Sequence, residues 1–543
     1  MESECWVPPG RDERFPHEFS GDWKGQMSFL RPEAMVPETG DRKVAPLDNL
    51  RARSVKGGVV SLTCQGLQFV LQIGSAVVLA RLLQPGDFGV VAMVTSITSF
   101  VYILGEGGLS IATVQSREIS NAQVSALFWI NVGVSMTLAL TVVGVGPLLS
   151  WFYHERRLSG IAMVVAITFA IRGLMVQHQA LLRREMRFVA LGTSNIGAIC
   201  AGAVCSISLA ISGFGYWALV WGMVVTEAAR CLQLWIWSAW IPGRFERDIG
   251  IGSMVAFGGQ MTLGSLMSQF ARSLDNLLIG WRYGDVSLGH YSRSQTIMIV
   301  PVSQFLAPLT GVMEPLLSRL QDDRERYRKA FMNAYWGVGV AIAPVFLICA
   351  ILAEQMVMIL FGEKWLDASP IFAWLSIVGA FMPLGYAVNW LFATQGRGKE
   401  MLTMMTFNSI VIVIAFLAGL PFGPVGVAAA FALSILVRMP LQFHFAGKTG
   451  HIRTEDLWKG FGEIVPIGVT AACCTLLVRD QVQHWPLLNG AMSAALAGLS
   501  GATALAIILP FYRRRFLLAL SLFRNKTGER VSPQESSSHS HGP

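Results

Sequence analysis

Charge is scarce in this chain. Asp, Glu, Lys and Arg make up 14% of its 543 residues, where a soluble domain carries roughly 25%. That deficit excludes a water-facing surface over most of the length. Useful cysteine patterns are missing too. The eight cysteines are Cys5, Cys64, Cys200, Cys205, Cys231, Cys349, Cys473 and Cys474. None forms a CxxC pair and no histidine stands at zinc-ligand spacing, which excludes a zinc module or a dithiol redox site. Seven of them lie inside apolar stretches, where they read as small apolar fillers. There is no GxxxxGK[ST], no HExxH and no GxSxG. The chain is therefore not read as an enzyme, it calls for no cofactor or metal, and any transport it performs is not powered by an ATPase of its own. The alternating ten-residue segments of a membrane β-barrel are absent as well.

What the chain has instead is apolar length. Hydrophobic residues make up 53%. Nine or more separate apolar stretches reach the roughly 20 residues that cross a bilayer as a helix, and fourteen candidate spans can be counted. They begin near Gly58, Phe88, Ala122, Ser159, Val189, Tyr216, Met254, His290, Phe331, Ile371, Met401, Val425, Phe461 and Leu487. The expected fold is an all-α membrane protein of about fourteen transmembrane helices. Residues 1–50 are polar and lack the apolar core of a signal peptide. They read as a disordered cytoplasmic tail, and so do residues 516–543.

Lys and Arg collect on the cytoplasmic side of membrane proteins. With the amino terminus inside, the inner segments gather Arg183, Arg184 and Arg187, then Arg319, Arg324, Arg326, Arg328 and Lys329, then Arg513, Arg514 and Arg515. The outer loops keep Arg81, Arg156, Arg157, Arg282, Arg293, Lys364 and Arg479. The contrast predicts both termini in the cytoplasm. The net charge of +8 is mostly this inner-face excess and needs no nucleic acid.

The chain repeats weakly at an offset of 200 residues. In the first span Ser61, Gln65, Gln68, Gln72 and Ser75 fall on one helical face. In the seventh, Ser265, Ser268, Arg272 and Asp275 follow the same steps. Gly58 matches Gly258, and Gly89 matches Gly289. The repeat predicts two six-helix lobes, residues 51–248 and 249–448, related by an axis along the membrane normal. Residues 449–515 would add two more helices.

Polar stripes on both leading helices should face the bundle interior or a wet cavity. Ionisable residues inside spans cost about 2.5–3.5 kcal/mol each at mid-bilayer, so each needs a partner, water or a ligand. Glu227 and Arg230 are spaced to pair within one helix. Glu314 can reach the headgroups and Arg438 can snorkel. Arg172 has no charged neighbour in its own span and needs an internal anion: Asp275, another acid or a substrate phosphate. The candidate substrate cavity comprises Arg172, Arg272, Asp275, Gln65, Gln68, Gln72 and Gln269. Glu106, Glu227 and Asp275 are candidate coupling or structural acids. Pro301, Pro308 and Pro315 each remove a backbone hydrogen bond from the eighth span and favour a kink there.

The stretches "LARLLQPGDFGVVAM" (79–93), "LFWINVGVSM" (127–136), "SLDNLLIGWRYG" (273–284) and "PLLSRLQDD" (315–323) resemble the bacterial polysaccharide transporter family. These are Wzx-type flippases of the multidrug/oligosaccharidyl-lipid/polysaccharide exporter superfamily. The resemblance covers about residues 50–515. It implies two lobes around a central cavity in the bacterial inner membrane. It implies movement of undecaprenyl-diphosphate-linked oligosaccharides from the cytoplasmic to the periplasmic leaflet, coupled to a proton (H+) or sodium (Na+) gradient. Expected partners are the lipid-linked oligosaccharide, membrane lipids, and polysaccharide polymerase and chain-length or export proteins. Glu106, in "GEGGL" (105–109), stands where the family resemblance leads one to expect a neutral residue. Two rival readings remain. A drug–cation antiporter of the same superfamily would show a more acidic chamber. A membrane-embedded polysaccharide polymerase would show a large arginine-bearing outer loop, and a glycosyltransferase an acidic metal-binding loop.

Overall fold

The computed structural model describes residues 50–106, 113, 119–245, 252–482 and 485–508. Both polar tails lie outside the described residues. Among those described, the chain is helical and contains no strand. The helices are α1 (Leu50–Leu82), α2 (Pro85–Glu106), α3 (Asn121–Tyr153), α4 (Arg157–Arg184), α5 (Phe188–Ile211), α6 (Tyr216–Ser238), α7 (Gly252–Arg319), α8 (Arg324–Ile351), α9 (Ala353–Phe361), α10 (Ser369–Thr394), α11 (Gly398–Gly419), α12 (Gly423–Leu433), α13 (Ile435–Lys448), α14 (Thr454–Gln481) and α15 (Leu487–Ile508).

Ten segments of the described residues are long and apolar enough to cross a membrane. Gly398–Lys448 is long enough to do so twice, and so is the 68-residue helix α7 to which Ser273–Arg319 belongs. Ser273–Arg319 belongs to a helix broken at Gly284, where φ is 79° and ψ −171°. Gly398–Lys448 breaks at Gly423, where φ is 79° and ψ −173°. Side chains with a Cβ avoid this region, so glycine is what lets the chain reverse there. The three prolines behave differently from expectation. Gly284 is the non-helical residue recorded inside α7, and the backbone stays helical through Pro301, Pro308 and Pro315.

Start signals sit where the sequence supplies them. Ser120 and Gln123 form a capping box before α3, and the Asp323 side chain caps α8. The helices then pack as neighbours in pairs, α3 with α4 and α5 with α6. Helix α7 lies along α2 on both sides of Gly284, so the two halves of the chain meet there. Helix α14 packs on α8, and α15 on α14. Small residues permit this closeness: a Cβ at Gly339 would stand 2.3 Å from Ile464.

Candidate functional site: an interior closed at one end

The two halves touch closely at the Gly284 end of the bundle. A Cβ at Gly89 would lie 1.8 Å from the carbonyl oxygen of Asp285. A Cβ at Gly289 would lie 1.9 Å from the carbonyl oxygen of Pro85. Each number in one contact is 200 away from a number in the other. The glycine match seen in the sequence is thus a reciprocal backbone crossing.

Charged side chains reinforce the closure. Arg157 donates to Asp285 at 2.8 Å and grips Glu155 through two bonds of 2.9 Å. The Arg157 guanidinium holds the Glu155 carboxyl below its usual range. At the end of α1, Lys364 donates to the carbonyls of Arg81 and Leu83 at 2.9 and 2.6 Å. Trp365 Nε1 donates to Ala80 at 2.9 Å. Arg81 in turn donates to the carbonyls of Ile359 and Leu360 at the end of α9. Helix C-termini expose acceptors and negative dipole ends, so cations fit both. Arg81, Arg157 and Lys364 were assigned to outer loops from the sequence; here they tie the two halves together.

Arg293 was also assigned to an outer loop, with the eighth span starting near His290. The structure corrects this. The helix resumes at Asp285, and Arg293 lies inside it with its guanidinium 4.0 Å from the Phe88 ring centroid. It lines a cavity of about 240 Å³ with Ser75, Ser206 and Thr226 of the first half. Its Nε has no hydrogen-bond partner among the described residues.

The candidate residues from the sequence separate as follows. Arg172 Nη2 donates to Glu227 Oε1 at 2.6 Å, and its guanidinium sits 3.8 Å from the Tyr102 ring centroid. Arg230 approaches the same carboxylate at 3.8 Å. The acid Arg172 needs is therefore Glu227. Gln65, Gln68 and Gln72 are half-buried on α1. Ser75, the next residue of their stripe, reaches the Arg293 cavity. Gln269 donates to Ser273 at 2.9 Å, and Ser273 meets Ser99 of the first half at 3.1 Å. The side chains of Arg272 and Glu106 lie outside the described residues.

Asp275 is 1% exposed. Its Oδ2 accepts from Tyr291 at 2.9 Å and Gln295 at 2.8 Å, and its Oδ1 from the Asn276 backbone at 2.7 Å. Three donors hold the carboxylate within a membrane-spanning segment. Asp275 lines a second cavity, of about 230 Å³, inside the second half. Arg438 lines it too, rather than snorkelling. Among the described residues no cluster of histidine, cysteine and carboxylate suited to a metal occurs.

A helical bundle with polar interior cavities and two halves locked together at one end is the architecture of a membrane transporter. The profile of one family, described as polysaccharide biosynthesis protein, matches residues 78–370. The chain belongs to the polysaccharide biosynthesis protein family. It is 23% identical over 446 residues to the lipopolysaccharide biosynthesis protein WzxC of Escherichia coli, covering 80% of this chain and 90% of that one. It is 28% identical over 332 residues to the succinoglycan biosynthesis transport protein ExoT of Rhizobium meliloti, covering 60% and 65%. Its fold is similar to lipid II flippase MurJ in an inward closed conformation, with TM-score 0.69, 14% identity, and 84% and 99% of the two chains covered. It is also similar to an inward-facing multidrug resistance MATE family transporter, with TM-score 0.55, 15% identity, and 74% and 99% covered.

Proposed function

We propose that this protein is a flippase. It moves undecaprenyl-diphosphate-linked oligosaccharide repeat units across the bacterial cytoplasmic membrane, for exopolysaccharide, capsule or O-antigen assembly. The observation that carries this reading is the closure of the two halves at the Gly284 end, in a chain of this family. A gate at one end is what alternating access requires. The first six helices act as one lobe and α7–α13 as the other. Breaks at Gly284 and Gly423 support a count of fourteen crossings, and the excess of Lys and Arg in the inner segments supports cytoplasmic termini.

The cargo's diphosphate needs fixed cations, and arginine meets it with a planar fork. Arg293 supplies one inside the first cavity, and Arg272 stands on the same half of the chain. Arg172 is engaged with Glu227. Arginines facing both cavities disfavour the drug–cation antiporter. Coupling to a proton or sodium gradient runs through Asp275, a buried carboxylate inside the second cavity. The polymerase and chain-length proteins act downstream on the delivered units.

Proteoliposomes test the function. A fluorescent undecaprenyl-diphosphate trisaccharide in the inner leaflet should become accessible to an external quencher within minutes with the protein present, and remain protected without it. Equal protection in both preparations would end the flippase reading. Transport of a cationic dye in its place would favour the antiporter.

Cysteine labelling tests the orientation, in a variant stripped of native cysteines. Asp367 and Lys399 are both exposed. A cysteine at Asp367 should react with an impermeant thiol reagent in intact cells. One at Lys399 should react only after permeabilisation. Reversal at either position refutes the topology.

A further inference from the structure

The cavity within α7 and α10–α13 holds an arginine without a carboxylate partner among the described residues. Arg438 enters it from α13. Its guanidinium forms no ion pair with any carboxylate among the described residues. Its Nε is buried without a hydrogen-bond partner, 5.2 Å separating the guanidinium from the Phe431 ring centroid. Asn408 of α11 brings a carbonyl oxygen to the same cavity, also buried and without a partner. A charge and an amide left so inside a membrane-spanning bundle cost several kcal/mol. The site thus offers a polar guest one cation and one hydrogen-bond acceptor.

The walls say what kind of guest fits. Four helices present amides: Gln295 from α7, Asn389 from α10, Asn408 from α11 and Gln442 from α13. Gln442 Nε2 already donates to Gly385 at 2.8 Å and approaches Asn389 Oδ1 at 3.4 Å, which leaves the Asn389 amino group free to donate to a guest. Phe416 and Phe431 add an aromatic wall, ring centroids 5.3 Å apart. Amides for hydroxyls and aromatic faces for C–H surfaces are the two demands of a pyranose ring. A volume of about 230 Å³, below the 300–1,000 Å³ of sites for larger ligands, has room for one ring.

Charge narrows the class further. Asp275 and Arg438 together leave the cavity without net charge. A diphosphate, carrying two or more negative charges, meets one cation and one carboxylate there and is disfavoured. A metal ion meets Arg438 and is disfavoured too. Asp275 is already held by Tyr291 and Gln295, whereas Arg438 is not engaged. A guest with a single carboxylate satisfies the arginine fork.

We propose that this cavity is a subsite for one acidic monosaccharide of the lipid-linked repeat unit, with the sugar carboxylate on Arg438 and its hydroxyls on Asn408 and Asn389. It names a sugar within the cargo of the flippase reading and rests on that reading. The subsite selects repeat units that carry a uronic acid.

Two measurements separate the claims. The first compares two lipid-diphosphate disaccharide probes in proteoliposomes, one ending in glucuronate and the other in glucose. Wild-type protein should move the glucuronate probe at least tenfold faster, and Arg438→Gln should bring the ratio of the two rates to about one. Arg438→Lys should keep part of the preference, because it keeps the charge and loses the fork. The second titrates purified protein with sodium glucuronate and with glucose, following tryptophan fluorescence. Saturable binding of glucuronate that Arg438→Gln weakens tenfold or more supports the subsite even if neither probe is flipped, in which case the flippase reading alone fails. Equal rates for both probes in wild type, or glucuronate binding untouched by Arg438→Gln, overturns the subsite while flipping stands. Val437→Ala, on the exposed neighbour, controls for damage to α13 and should leave ratio and binding as in wild type.

Discussion

Glu227→Ala should reduce export at least tenfold, chiefly by lowering the amount of folded protein in the membrane. Glu227 is the carboxylate between Arg172 at 2.6 Å and Arg230 at 3.8 Å. The Arg172 and Glu227 side chains are only 15% and 12% exposed. Removing the acid takes this partner from two guanidiniums at once. Breaking a buried ion pair from one side costs about 3–5 kcal/mol, against a total of roughly 5–15 kcal/mol for a folded domain. The Tyr102 ring over Arg172 offsets only part of that, since a desolvated cation–π contact contributes about 2 kcal/mol. Glu227→Gln should be milder, because the amide oxygen still accepts from Arg172. The double change Arg172→Met/Glu227→Leu removes both charges and should restore the protein level, since apolar pairs of similar volume replace buried ion pairs without loss. Export at matched protein levels then separates two roles. Restored level with restored export makes the pair a structural strut. Restored level without export makes it part of the transport cycle. Wild-type level and export in Glu227→Ala would refute the importance of the pair.

The spans were legible because lipid punishes charge, and long apolar runs therefore announce themselves. Arg172's need for an acid was legible for the same reason, although which acid was not: Glu227 lies on another helix, and periodicity does not say which helices touch. Arg293 was misplaced because its surroundings, "GHYSRSQT" (289–296), read as a loop. That polarity is tolerated because this face of α7 meets the first half of the chain and not lipid. Nothing in one sequence distinguishes a helix polar toward a partner from a polar loop. Arg438 posed the converse problem. Its place in an apolar stretch allowed snorkelling, and only packing shows that it turns into a cavity. The match of Gly89 with Gly289 was visible yet weak, because the chain has 54 glycines and coincidences are common. The structure gives that match its meaning through two backbone contacts whose residue numbers differ by 200.

Gly89→Ala/Gly289→Ala should abolish export while the protein still inserts and folds. Both new methyl groups would point at backbone oxygens, 1.8 Å from Asp285 and 1.9 Å from Pro85. Neither obstacle is the tip of a flexible side chain, so α2 and the second limb of α7 must move apart. Overpacking of this kind typically costs about 1–3 kcal/mol. Here it falls on one conformation only. The closed end carries the whole cost, and a state in which the halves separate at that end carries none of it. A shift of about 3 kcal/mol between two states of similar energy changes their ratio more than a hundredfold. The variant should therefore rest with the Gly284 end open. A cysteine at Ser75, which lines the cavity beneath this crossing, reads that state directly. It should resist an impermeant thiol reagent applied from outside in the otherwise unaltered protein and react quickly in the double alanine variant. Loss of export with Ser75→Cys still protected would mean that the crossing serves folding and not gating. Wild-type export with both alanines in place would show that the backbones can separate without consequence, and the reciprocal glycines would then not be the gate. Single substitutions should fall between, each opening the end partly, because either methyl alone forces the same two helices apart.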